Sequence, residues 1–269
     1  APFNLVDITE SKKTTPTPSD DKGDKTVDIN DSERNTKTWQ DFDKFVKPME
    51  IIFENKMKVL FKEQADRVLV AYDDNTKSFS DIVIKIDEFN PQILMAQIFH
   101  EENEARIMER EMETIYANIV DQAGTRAAIG LGIDFATADP RVIEIIANKV
   151  FKFSNQISQT TRKEIREALT TGIENGESIL EIRDRITLNF SKAEKVRAKR
   201  IAQTEVIGAS NAAANEVFKQ AGEKKEWISA RDDKVRQTHI NLELQTAEDM
   251  GGEPIPADAK FELSDGDQL

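Results

Sequence analysis

Cysteine is absent from all 269 residues. That excludes a disulfide framework, a thiolate metal site and a cysteine nucleophile, and it fits a reducing cytoplasm. Histidine occurs twice, so imidazole acid–base chemistry has few places to sit. Positive charge is in deficit: 37 Lys and Arg stand against 50 Asp and Glu, a net charge of −13. Phosphate binding needs a basic surface, so the whole molecule is no nucleic-acid binder, although a local basic patch stays open. No apolar run approaches the roughly 20 residues that cross a bilayer, which gives the expectation of no membrane partner. No basic segment followed by an apolar one opens the chain, so no signal peptide is visible. The first residue is Ala1 rather than a methionine, read here as the mark of a processed chain or of a piece of a longer one. No repeat of fixed period occurs.

What is present is mostly helical periodicity. Residues 1–37 read as a disordered or linker segment, because TTPTPSDDKGDK is polar, proline-containing and without period. Residues 38–122 read as an amphipathic helical region. Phe42, Phe45, Val46, Met49, Ile52, Phe53, Met57, Leu60 and Phe61 recur at spacings of three and four, which predicts a helix running toward Val70. Pro48 is expected to kink or interrupt it. Asp73 to Ser80 reads as a break, and Phe79 to Ile86 fits strand or helix. Asn90-Pro91 starts the next helix, expected to end near Asp121.

Residues 123–269 read as the second domain. AGTRAAIGLGIDF is expected to be a loop or a tight packing segment. Asp139-Pro140 begins a helix. A separate helix is expected from a cap at Thr160 or Thr161 to a stop at Asn175-Gly176. Ser178 caps a short helix, and a long one runs from Ala193 to Ala221. KKEWIS is a strand candidate, Asp232 or Asp233 caps a helix through Leu244, and a short strand is expected at Phe261 to Leu263. The fold class is mainly α: a helical N-terminal array, then a helical domain with a small C-terminal β element.

Several constellations carry chemistry. Gly208, Ala209, Ser210, Ala212, Ala213 and Ala214 strip bulk from the long helix, so another backbone can approach it. Glu205, Gly208 and Asn211 share one of its faces. Asp232, Arg236 and His239 stand at i, i+4 and i+7, and a buried carboxylate needs a partner. The expected structural polar network is therefore Glu205, Asn211, Asp232, Arg236 and His239, with Glu205 paired to Arg236. A carboxylate and an imidazole can also act as acid and base, but no nucleophile motif accompanies them, so no catalytic residue is assigned. No HExxH or Cys/His spacing exists, so no metal ligand and no cofactor are assigned either. His100 and the glutamates after it read as a solvated face. Lys192, Lys195, Arg197, Lys199 and Arg200 place five positive charges in nine residues. They are candidate contacts to DNA or to an acidic partner, with a solvated helix start as the plainer reading. Trp227 is expected in the core and is the other candidate for a partner contact.

The order of these pieces resembles the phage Mu F-like minor head proteins. Arg197, Arg200, Ile201, Ala202, Thr204 and Glu205 match an R-x-x-R-I-A-x-T-E stretch, and Asn211 matches an Asn in a small-residue run. Trp227, Asp232 or Asp233, Val235, Arg236 and His239 match a Trp followed by D-x-x-V-R-x-x-H. Gly176, Glu177, Ser178, Glu181, Ile182, Arg185 and Ile186 match an upstream segment. The likeness covers residues 123 to 244. Two features depart from it: LELQT stands where the family often has a Gly after the His, and the Cys-containing closing segment is absent. The resemblance implies a non-enzymatic virion protein of head morphogenesis. It implies portal or major capsid protein as partner, packaged DNA as a further contact, and a place in the phage head after assembly in the host cytoplasm. It also allows the C-terminal part of a portal fusion, with the portal setting the oligomeric state. An enzyme or toxin-associated module and a DNA-contacting module are the alternatives from other classes.

Overall fold

A computed structural model describes residues 32–77, 90–231 and 235–262. The fold is mainly α, with a small β element near its end. Helix α1 (Glu33–Thr76) is followed by α2 (Pro91–Ile98), α3 (Glu101–Leu131), α4 (Pro140–Glu174) and α5 (Ile179–Lys192). A π-turn at Ala193–Arg197 leads into α6 (Ala198–Ala221). Strand β1 (Lys224–Lys225), α7 (Gln237–Thr246), a 3-10 turn (Glu248–Met250) and β2 (Ile255–Pro256) complete it. The two short strands pair antiparallel, Lys224 opposite Pro256 and Lys225 opposite Ile255.

Several helix boundaries differ from the sequence expectation. α1 begins at Glu33, inside the stretch read as linker, and runs unbroken through Pro48. Val46, Met49 and Phe53 are buried on either side of that proline, so packing offsets the local loss of a helical hydrogen bond. α1 also continues through Asp73 to Thr76. The single helix expected from Pro91 is two, parted at Phe99 and His100. α3 then runs on to Leu131 through the small residues expected to be a loop. The tight-packing half of that reading holds at Gly124, where an added Cβ would lie 2.2 Å from the Phe135 ring.

The helix expected to start at Thr160 is the second half of α4. The Thr160 hydroxyl donates back to the Gln156 carbonyl at 2.8 Å and caps nothing. The punctuation at the other end stands: Gly176 has φ +68, and Ser178 with Glu181 forms a reciprocal capping box at the start of α5. Of the strand expected at Phe261 to Leu263, Glu262 forms an isolated β-bridge, and the strand that pairs with β1 is β2 at Ile255–Pro256; Leu263, like the segment Phe79 to Ile86, lies outside the described residues.

The chain divides into two compact units. One takes residues 50–116 and 146–203. Its core joins Val68 and Tyr72 of α1, Leu94 and Ile98 of α2, Leu169 of α4 and Ile182 of α5. Phe53, Tyr116 and Phe153 stack in a trio with centroids 5.5 to 5.7 Å apart. Glu104, buried, accepts from Gln64 and from both Arg67 Nε and Nη2, so it belongs to this core and not to the solvated face read for the residues after His100.

The other unit takes residues 1–49, 117–145 and 204–269. Trp227, Leu242 and Phe261 form its small apolar nucleus, with Ile255 packed against them. Gly252 closes the turn beneath α7. A Cβ there would lie 2.5 Å from the Gln245 carbonyl carbon and 2.6 Å from the Thr246 nitrogen. Both are backbone atoms and cannot swing aside, so Gly252→Ala is expected to cost about 1–3 kcal/mol. Urea unfolding followed by tryptophan fluorescence checks this, and an unchanged midpoint would contradict the packing described.

Candidate functional site

The C-terminal half of the second unit is organised around two buried carboxylates. Helix α7 starts only at Gln237, with Arg236 as its N-cap in extended conformation. Residues spaced three and four apart on α7 face inward: His239, Leu242, Glu243 and Thr246 are all buried. Glu243 is fully buried. It accepts from Arg231 Nη1 and Nη2 at 3.1 and 2.7 Å, from the Ser229 backbone N–H at 2.8 Å and from Asn35 Nδ2 at 3.2 Å. Arg231 is itself buried, with 5% of its side chain exposed, and also donates to the Ser229 carbonyl and to Thr36 Oγ1. These donors supply what a carboxylate loses when it leaves water.

The second carboxylate, Glu226, is likewise buried and meets Arg34 Nη2 at 2.7 Å. It also accepts from the Glu248 backbone N–H at 3.0 Å. Burial pushes the Glu226 carboxyl above the usual carboxylate range, and the Arg34 guanidinium opposes that shift. Ser32 Oγ donates to Asp249 at 2.7 Å. Between the carboxylates sits Trp227, 1% exposed. Its indole N–H donates to Ser229 Oγ at 3.1 Å, and its rings pack 5.2 Å from His239 and 5.4 Å from Phe261.

His239 and Trp227 lie together in the core, as expected of the tryptophan, which is 1% exposed. Arg236 is exposed and stands at the N-cap of α7. The helix begins after Arg236, so Arg236 and His239 do not share a helical face, and Asp232 lies outside the described residues. Glu205 is half-buried on α6 and Asn211 is buried further along it. The arginine that does the buried pairing is Arg231, with Glu243 as its partner. Sequence reasoning passed over Arg34, Asn35, Glu226, Arg231 and Glu243. The available signal was Glu226 and Arg231 bracketing the apolar run around Trp227, together with Glu243 one turn after His239.

The basic run also divides. Lys192, Lys195, Lys199 and Arg200 are exposed. Arg197 is half-buried, donates to Glu164 Oε2 at 2.5 Å and lies 5.2 Å over the Phe61 ring. Burial lowers the Arg197 pKa and raises that of Glu164, as expected of a partly desolvated pair. Four of the five cations face solvent, and the fifth is structural.

A cavity of about 540 Å³ lies in the same unit as the Trp227 nucleus, lined by α1, the end of α3 and α6. Phe42, Phe45, Lys37, Arg126, Ser210 and Asn211 are among its walls. No group of three or more His, Asp or Glu among the described residues is placed to hold a metal. No described helix is long and apolar enough to cross a membrane.

Residues 163–254 match the family described as phage Mu protein F like protein. This segment of the chain is Mu F-like. The matched residues begin in α4 and include α5, α6, β1, α7 and the 3-10 turn. Within the Mu F-like segment fall Glu226, Trp227, Arg231, His239 and Glu243, whereas Arg34 and Asn35 lie far before it. The chain is also similar to the uncharacterized protein YqbB of Bacillus subtilis (strain 168), 30% identical over 136 residues. That alignment covers 49% of this chain and 41% of the relative, so the chain spans less than half of the relative's length. No solved structure matches.

Proposed function

We propose that the protein is a minor head protein of a tailed phage, acting in head morphogenesis at the portal vertex. The Mu F-like segment at 163–254 carries this reading. Its polar groups support a structural role: the buried carboxylates Glu226 and Glu243 are engaged by Arg34, Arg231, Asn35 and backbone N–H groups, so they brace the fold and do not face a substrate. The module docks on portal or capsid protein, and the exposed cations Lys192, Lys195, Lys199 and Arg200 serve contact with packaged DNA or an acidic partner surface during packaging or ejection.

Mass spectrometry of purified phage heads tests the proposal. Peptides of this chain are expected at a fixed ratio to portal protein, and a one-to-one ratio on a portal-length polypeptide would identify a fusion. Heads that lack the peptides, with the protein left soluble in the host, would overturn the head-protein role.

A further inference from the structure

We propose that the 540 Å³ cavity between α1, α3 and α6 binds a short peptide segment carrying an acidic side chain next to an apolar one. Its size falls within the roughly 300–1,000 Å³ of ligand pockets. The site stands on its own geometry and does not depend on the head-protein role.

The floor of the cavity decides the class of ligand. Asn211 is 8% exposed, and neither its Oδ1 nor its Nδ2 meets a protein partner. Ser210 beside it is 1% exposed, and its hydroxyl is likewise without one. A buried amide left unpaired is costly, and this one lines a cavity. An amide presents one acceptor and a pair of donors side by side. A peptide group offers the complement, an N–H and a C=O side by side, whereas a phosphodiester or sulfate supplies acceptors only. The floor therefore fits a peptide bond better than an inorganic anion.

The rim decides the charge. Lys37 and Arg126 are exposed cations on α1 and α3. Among the described residues Lys37 has no ion pair. The Arg126 guanidinium rests 4.6 Å over the Phe45 ring and reaches the Asp41 carbonyl only at 3.5 Å, so most of its donors point elsewhere. In a chain of net charge −13, two such cations over a cavity with one carboxylate, Asp41, on its lining select an anionic group. Half-buried Phe42 and Phe45 supply aromatic walls for the neighbouring apolar side chain. Asn211 holds the peptide group, Lys37 and Arg126 hold the carboxylate, and the phenylalanines cover the apolar side chain.

The test is an NMR titration of the full-length isotope-labelled protein with acetyl-Leu-Asp-Phe-amide. The Asn211 side-chain amide and backbone amides around residues 37, 126 and 211 are expected to shift together and saturate. Affinity is expected to fall at least tenfold for the Leu-Asn-Phe peptide, and likewise for Lys37→Glu or Arg126→Glu. Both substitutions are at exposed positions, so they keep the test valid if Asn211→Ala disturbs folding. Three outcomes would each overturn the proposal: no saturable shift at Asn211, equal binding of the Leu-Asn-Phe peptide, or the same shifts produced by inorganic phosphate or by a DNA duplex. Displacement of the peptide by a second copy of the chain, seen as dimer in sedimentation, would assign the cavity to self-association instead and equally overturn it.

Discussion

Glu243→Ala is expected to cost about 3–5 kcal/mol and to loosen the whole C-terminal module, because it strands a buried guanidinium. Arg231, with 5% of its side chain exposed, would lose both of its carboxylate bonds. The Ser229 N–H and the Asn35 amide would lose their acceptor in the same step. Calorimetry or urea unfolding measures the loss, and a midpoint within experimental error of the wild type would refute the central role given to this carboxylate. The double change Glu243→Leu with Arg231→Met separates two meanings of that cost. Replacing a buried pair by apolar groups of similar volume is often close to neutral. The double variant is therefore expected to recover a large part of the stability that the single one loses.

Trp227→Ala carries the second large effect, about 3–5 kcal/mol by the measure of large-to-small changes in a core. The indole is 1% exposed and forms most of the nucleus that also includes Leu242 and Phe261. Its removal leaves His239 and Phe261 facing a void and deprives Ser229 of a donor. Near-ultraviolet circular dichroism and thermal unfolding read the result. Trp227→Phe is expected to be milder, since one ring is kept and the void is smaller, although the N–H to Ser229 is lost. An alanine variant as stable as the parent would mean that the nucleus is not what holds the module together.

Much of the helical architecture was legible because it is written in local chemistry. Asn90-Pro91, Asp139-Pro140, Ser178 with Glu181, Asn175-Gly176 and Gly222 act within a turn or two, and each marks a real boundary. Pro48 and Thr160 misled for the opposite reason. Their local preferences are outweighed by the combined packing of residues such as Val46, Met49, Phe53 and Leu169, which depends on partners distant in sequence. The phase of the last helix was not legible: the sequence reading placed Arg236 on it, but α7 starts one residue later, and its inward face is set by His239 and Glu243. Arg34 and Asn35 were illegible in principle, because nothing in a polar stretch near the start of a chain says that it will be buried against residues some two hundred positions on. The family resemblance was legible because its residues cluster between 163 and 254, where spacing alone preserves the pattern.

That long separation sets the order of events during synthesis. Ser32, Asn35 and Thr36 meet Asp249, Glu243 and Arg231 across 217, 208 and 195 residues. The first helical turn leaves the ribosome long before its partners exist, and closing so large a loop is slow relative to local helix formation. Arg34 and Asn35 therefore wait during synthesis for partners made some two hundred residues later, and these contacts close after the local helices have formed. A piece cut to residues 163–254 would take Glu226 and Glu243 away from the α1 groups that satisfy them. Excised on those boundaries, the domain would be a lock without its bolt: every residue of the matched segment present, and the helix that fastens it left behind on the other fragment.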